Sequence, residues 1–181
     1  MSELVATGFK DPYRAAEVLN ELQRRQYKWS ADLDNALVVT QEEASEVKVQ
    51  LRIDLSSHGA KWASLWGSFL GLVLFETSAD QLVDAAAAFS TEAGLRSAVQ
   101  KGSRKGSADN KWWRENLCIS KEFVRDIGGM IQPGDSALFI LLHANESPIL
   151  LRYLRNQGGT ALHTTLSPRQ DELLHEVFSI R

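Results

Sequence analysis

The sequence predicts an α+β protein: a ferredoxin-like sheet of two split β-α-β halves with a long helical-hairpin insert between them. Three observations predict it. Short apolar runs flank amphipathic helical patterns near both ends of the chain. The helix starts recur as Asp11-Pro12, Ser147-Pro148 and Ser167-Pro168. The middle, from 56 to 119, changes from strand to helical periodicity. One domain is expected over 1–181, with its core in 1–55 and 120–181 and its insert in 56–119. An open mixed sheet with helices on both faces is the alternative, and the two differ in strand order.

The elements follow in order. Leu4 to Phe9 reads as a strand, and Asp11-Pro12 as cap and first turn of a helix running to about Trp29. Ala15, Val18, Leu19 and Leu22 share one face of that helix, with Arg14, Glu17, Glu21 and Arg24 outside it. Leu33 to Thr40 contains the apolar run Ala36-Leu37-Val38-Val39, the pattern of a strand buried on both faces. Val47, Val49, Leu51 and Ile53 alternate with polar residues, which predicts a second strand in hairpin with the first. After the insert, a helix is predicted from about Ser120 to Met130, stopped by Gly128-Gly129 and Pro133-Gly134. A fully apolar strand follows over Ala137 to Leu142. Ser147-Pro148 opens a helix whose apolar face is read as Ile149, Leu150, Tyr153 and Leu154, ended by Gly158-Gly159. Thr160 to Leu166 is a strand, and Ser167-Pro168-Arg169-Gln170 combines a cap, a first-turn proline and a capping box.

Composition narrows the function classes. Of 181 residues, 44% are apolar and 24% charged, which suits a packed core rather than a disordered chain. A formal net charge of -3 supplies no global attraction to nucleic acid or anionic membranes. Cys118 is the only cysteine, so neither a disulfide framework nor a cysteine-based zinc site is available. The start Met1-Ser2-Glu3-Leu4-Val5 lacks the basic and apolar segments of a signal peptide, so a cytoplasmic chain is expected.

Four fragments carry a family resemblance: Leu4-Val5-Ala6-Thr7-Gly8-Phe9, Leu37-Val38-Val39-Thr40, Pro133-Gly134-Asp135-Ser136-Ala137-Leu138-Phe139, and Gly158-Gly159-Thr160 through Ser167. Together they resemble the bacterial domain of unknown function 1269 family, whose members are labelled small predicted membrane proteins. The likeness covers residues 3 to 75 and 120 to 175, with a divergent middle. It rests on turns and strands and implies no active-site residues. Members carry two glycine-rich apolar stretches in the middle, and here only the first is present as such.

That stretch holds the most distinctive pattern. Gly59, Ala63, Gly67 and Gly71 recur every fourth residue, a stripe of small side chains that lets a second helix approach closely. Trp62, Trp66 and other apolar residues surround it, so such a helix must be buried against something. Ser78 and Gln81 form a capping box for a second helix, whose Asp80, Asp84, Glu92 and Arg96 disfavour a membrane-spanning hairpin. Self-association through Gly59, Ala63, Gly67, Gly71, Trp62 and Trp66 is therefore expected, which makes the chain a homo-oligomer. A second candidate surface, of a kind used for anionic lipid head groups or single-stranded nucleic acid and read here chiefly for lipid, is Lys101, Arg104, Lys105, Lys111 and Arg114 with Trp112 and Trp113. Its bland counterpart is a solvated loop leading into a tryptophan-anchored helix.

No catalytic signature is present. His58, His143, His163 and His175 are scattered without ligand spacing, and no Walker loop, GxGxxG or GxSxG occurs. His143 and His163 fall at strands of the second half, as pocket-lining or ordinary sheet residues. Neither a cofactor nor a metal is expected, and nucleic acid is not an expected partner. The reading is a non-enzymatic interaction protein of the cytoplasm, with association at the inner membrane as an extension and a small-ligand-binding module as the alternative.

Overall fold

Eight consecutive buried residues, Ser2–Phe9, form the first strand, β1. In the computed structural model, which describes residues 2–25, 36–41, 47–52, 69, 115–117, 119–143 and 147–178, the later elements are α1 (Arg14–Arg24), β2 (Ala36–Gln41), β3 (Val47–Arg52), α2 (Lys121–Gly129), β4 (Ser136–His143), α3 (Ser147–Asn156), β5 (Thr160–Thr165) and α4 (Pro168–Phe178). The strands make one five-stranded sheet in the order β3-β2-β4-β1-β5. Every pairing in it is antiparallel, which excludes the mixed sheet. β4 separates β1 from β2, and β1 separates β4 from β5, so each β-α-β unit is split by a strand of the other. β3 extends the sheet as a hairpin arm of β2.

Antiparallel sheets commonly leave one face to water. Here both faces of the central strands are covered. On the first face Val5, Phe9, Val38, Leu138, Ile140 and Leu142 pack with Ala15, Val18, Leu19 and Leu22 of α1 and Leu150, Leu151 and Leu154 of α3. On the second face Leu4, Ala6, Leu37, Val39, Ala137, Phe139 and Leu141 are equally buried. Phe69 lies edge-on to Phe139 there, ring centroids 5.5 Å apart, and is only 1% exposed. Met130, just beyond α2, closes over Gly8 so tightly that a Cβ on that glycine would sit 2.7 Å from the methionine Cβ. Val124 and Ile127 of α2 are fully buried. The apolar run of β4 thus reflects two covered faces, not a parallel sheet.

Several helix ends differ from their sequence reading. α1 begins at Arg14 rather than Pro12, and its cap residue Tyr13 makes no side-chain cap. Asp11 instead accepts from the Tyr13 N–H at 2.8 Å. The Ala15 N–H is satisfied by Ser136 Oγ of β4 at 3.1 Å, while that hydroxyl donates to Asp11 O at 2.5 Å. A tertiary contact has replaced the expected local cap. α1 is described to Arg24, with Arg25 capping it, and residues 26–35 lie outside the described residues. Arg25 bonds Glu21, which holds that carboxyl below its ordinary value, and stands 5.3 Å from the Tyr153 ring centroid, linking α1 to α3.

α2 starts where expected, with Ser120 Oγ accepting from Phe123 N–H at 3.0 Å. It ends at Gly129 with Met130 as its cap, where the glycine pair was read as its stop, and the left-handed turn beyond it falls at Gly134, whose φ is +86°. On α3, Leu150, Leu151 and Leu154 form the buried stripe, whereas Ile149 is 51% exposed. Gly158, at φ +83°, ends that helix: its N–H donates to Arg155 O and the Gly159 N–H to Leu154 O, the paired bonds of a Schellman turn. The capping box of α4 forms as read, with Gln170 N–H donating to Ser167 Oγ at 3.3 Å and Ser167 N–H to Gln170 Oε1 at 2.7 Å.

Candidate functional site

Two polar features stand at opposite ends of the β1–β5 pair. The first is a cleft of about 430 Å³ at the Phe9 end, between the second sheet face and α2. Its walls include Thr160 and Leu162 of β5 and Arg125, Asp126, Gly129 and Met130 of the α2 region, with Gly8 and Gly158 keeping it open. Lys10 stands at its edge, its Nζ 2.7 Å from Oδ2 of Asp135. The lysine side chain is 80% exposed and the aspartate 8%, so the pair anchors a buried carboxylate to a cation at the surface. Arg125 lies 4.0 Å from Glu122, both largely exposed, a pairing of little energetic weight. Among the described residues of the lining, Thr160 carries the only hydroxyl, and none is a histidine or cysteine. Such a cleft can bind a small amphipathic molecule, and among its described residues no nucleophile is paired with a base.

The second feature is at the start of β1. Glu3 is 5% exposed and is the one charged residue of β1. A buried carboxylate requires partners. Two come from β5: Thr165, directly opposite in the register, donates its hydroxyl to Glu3 Oε1 at 3.4 Å, and His163 presents Nδ1 to the same oxygen. The carboxylate oxygen accepts in this contact and Nδ1–H donates. His163, 45% exposed, is on the face opposite to Leu162 and does not line the cleft. Its role is to satisfy Glu3. A charged residue inside a largely apolar strand was the signal that could have found this pair.

The residues singled out on the sequence for self-association, Gly59, Ala63, Gly67, Gly71, Trp62 and Trp66, lie outside the described residues, as does the basic and aromatic set of Lys101, Arg104, Lys105, Lys111, Trp112, Trp113 and Arg114. The second capping box at Ser78 and the thiol of Cys118 are outside them too. Phe69 is the described residue of the apolar stretch, and it is helical. Among the described residues, no group of three or more His, Cys, Asp or Glu side chains is arranged to hold a metal, and no helix is long and apolar enough to cross a membrane.

Fold and cleft together define an α+β protein built on one antiparallel sheet, whose buried carboxylates Asp135 and Glu3 are held by Lys10 and His163. The family follows from comparison. Residues 60–179 match the family described as "Protein of unknown function (DUF1269)", and the chain belongs to it. The match includes the central segment and the whole second β-α-β half. No curated protein and no solved structure matches the chain significantly.

The family fragments now have physical roles. Gly134, Asp135 and Ser136 supply a left-handed turn, the Lys10 partner and the α1 cap. Gly158 and Gly159 close α3 against β1.

Proposed function

We propose that this chain is a non-enzymatic interaction protein: a ferredoxin-like sheet, extended by one strand, that supports a central segment through which copies of the chain self-associate. The observation that carries the reading is Phe69, helical and buried on Phe139 of the sheet. In a regular helix, Gly67 and Gly71 lie about 160° round the axis from Phe69. A regular helix through Phe69 would turn that end of the small-residue stripe away from the sheet, where a second helix could meet it. The split β-α-β order supports the ferredoxin-like description, β3 being the addition. Sedimentation equilibrium of the full chain tests the reading. The wild type is expected to sediment as an oligomer and Gly67→Leu as a smaller species, while a monomeric wild type refutes it. Attachment to the inner membrane is the further part of this proposal. Cell fractionation that leaves the chain wholly in the supernatant removes that part alone.

The cleft beside α2 favours a second reading, a small-ligand-binding module. A metabolite that raises the melting temperature supports it. The same shift persisting in Gly129→Leu, which fills the cleft, counts against that location.

A further inference from the structure

The outer edge of β5 carries a self-complementary ladder. Leu166 N–H donates to Ser2 O at 2.9 Å, in register with the Glu3↔Thr165 pair. Directly opposed residues of an antiparallel ladder alternate between pairs that exchange both hydrogen bonds and pairs that exchange none. Thr164, Leu162 and Thr160 therefore turn their N–H and C=O groups to β1. Ala161, His163 and Thr165 turn theirs to the open edge.

Three features leave that edge available. Among the described residues β5 is the terminal strand of the sheet, and Thr160, His163 and Thr165 are exposed. Its sequence, TALHTT, contains no lysine, arginine, carboxylate or proline, the residues that ordinarily discourage edge pairing. The opposite edge, β3, carries Lys48 and Arg52. Finally, Glu3 draws the His163 imidazole back toward β1 and away from the edge.

We propose that β5 pairs antiparallel with β5 of a second copy about a two-fold axis at His163. That register sets His163 against its symmetry mate and Ala161 against Thr165 of the other copy. All the outward groups are then used, in about six interchain hydrogen bonds. Displacing the axis in either direction along the strand leaves outward groups unpaired. The contact is isologous, as a closed dimer requires, and makes the two sheets continuous. It involves none of the residues of the glycine stripe, so the two modes of association are independent.

Amide hydrogen exchange on the full chain, read residue by residue across a dilution series, tests this. The Leu162 and Thr164 amides, bonded to β1, should stay protected throughout. Those of Ala161, His163 and Thr165 should be protected at high concentration and lose protection on dilution. Thr165→Pro sacrifices no main-chain bond to β1, because that N–H points outward, and loses only the hydroxyl contact with Glu3. His163→Lys offers Glu3 a cation while placing like charges across the axis. Both variants should lose the concentration-dependent protection, whereas Gly67→Leu should keep it. Free exchange at 161, 163 and 165 at every concentration overturns the proposal, even if the chain sediments as an oligomer. So does protection that survives in both edge variants.

Discussion

Adding one methyl group at Gly159 should destabilise this protein more than adding one at its neighbour Gly158, although only Gly158 has a left-handed backbone. A Cβ built on Gly159 would lie 2.4 Å from Thr7 Cγ2, 2.8 Å from Phe9 Cε1 and 3.1 Å from the Leu154 carbonyl oxygen. Carbon atoms in ordinary contact are about 3.5 to 4.0 Å apart. Neither side chain can retreat easily, since Thr7 is fully buried and Phe9 is 3% exposed. Relief requires moving Phe9 off its rotamer, about 0.5 to 1.5 kcal/mol, and shifting β5 away from β1. Overpacking of this kind costs about 1 to 3 kcal/mol, and with three close contacts the upper end is expected. Gly158→Ala meets no atom within 4 Å and suffers only from its φ of +83°, a penalty of about 1 to 2 kcal/mol. Urea unfolding of both variants measures the difference. With a slope of about 1 to 3 kcal/mol per molar urea, Gly159→Ala should lower the midpoint by on the order of 1 M. Thr7→Ser removes the nearest clashing atom and should recover part of the loss, a favourable coupling in a double-mutant cycle. The reasoning is refuted if Gly159→Ala costs no more than Gly158→Ala, or if the Thr7 and Gly159 substitutions act additively.

Two further predictions address contacts between distant parts of the chain. Ser136→Ala strands the Ala15 N–H and the Asp11 carbonyl that its hydroxyl satisfies; the expected cost in equilibrium unfolding is about 1 to 3 kcal/mol, and an unchanged midpoint would show that water replaces the hydroxyl. Phe69→Ala removes a buried ring from the second sheet face; a loss of about 3 to 5 kcal/mol is expected, and a change within about 0.5 kcal/mol would place Phe69 outside the cooperative core.

Much of the fold was legible because its signals are local. The strand of β1, the amphipathic face of α1, the apolar run of β4 and the reciprocal bonds of Ser167 and Gln170 depend on residues within a few positions of one another. Readings failed where a distant residue competed with a local one. Asp11 had the chemistry of a helix cap, but Ser136 reached the α1 amides first, and Asp11 was left to bond Tyr13. Ile149 belonged to the apolar pattern of α3, yet α3 turns Leu150, Leu151 and Leu154 inward and leaves Ile149 in water.

The candidate site was less legible for the same reason. Glu3 and His163 are 160 positions apart, and only the antiparallel pairing of β1 with β5 puts them on one face. The cleft forms from glycines and side chains that no single segment contains. Among the described residues, the sequence by itself determined which segments are strands and helices and where most of them turn, because periodicity and turn chemistry operate over short range. The strand order, the covering of both sheet faces, the pairing of the buried Glu3 and the cap from Ser136 were decided by tertiary structure. Those depend on which surfaces meet when the chain collapses, and a linear pattern does not encode a neighbour more than a hundred residues away.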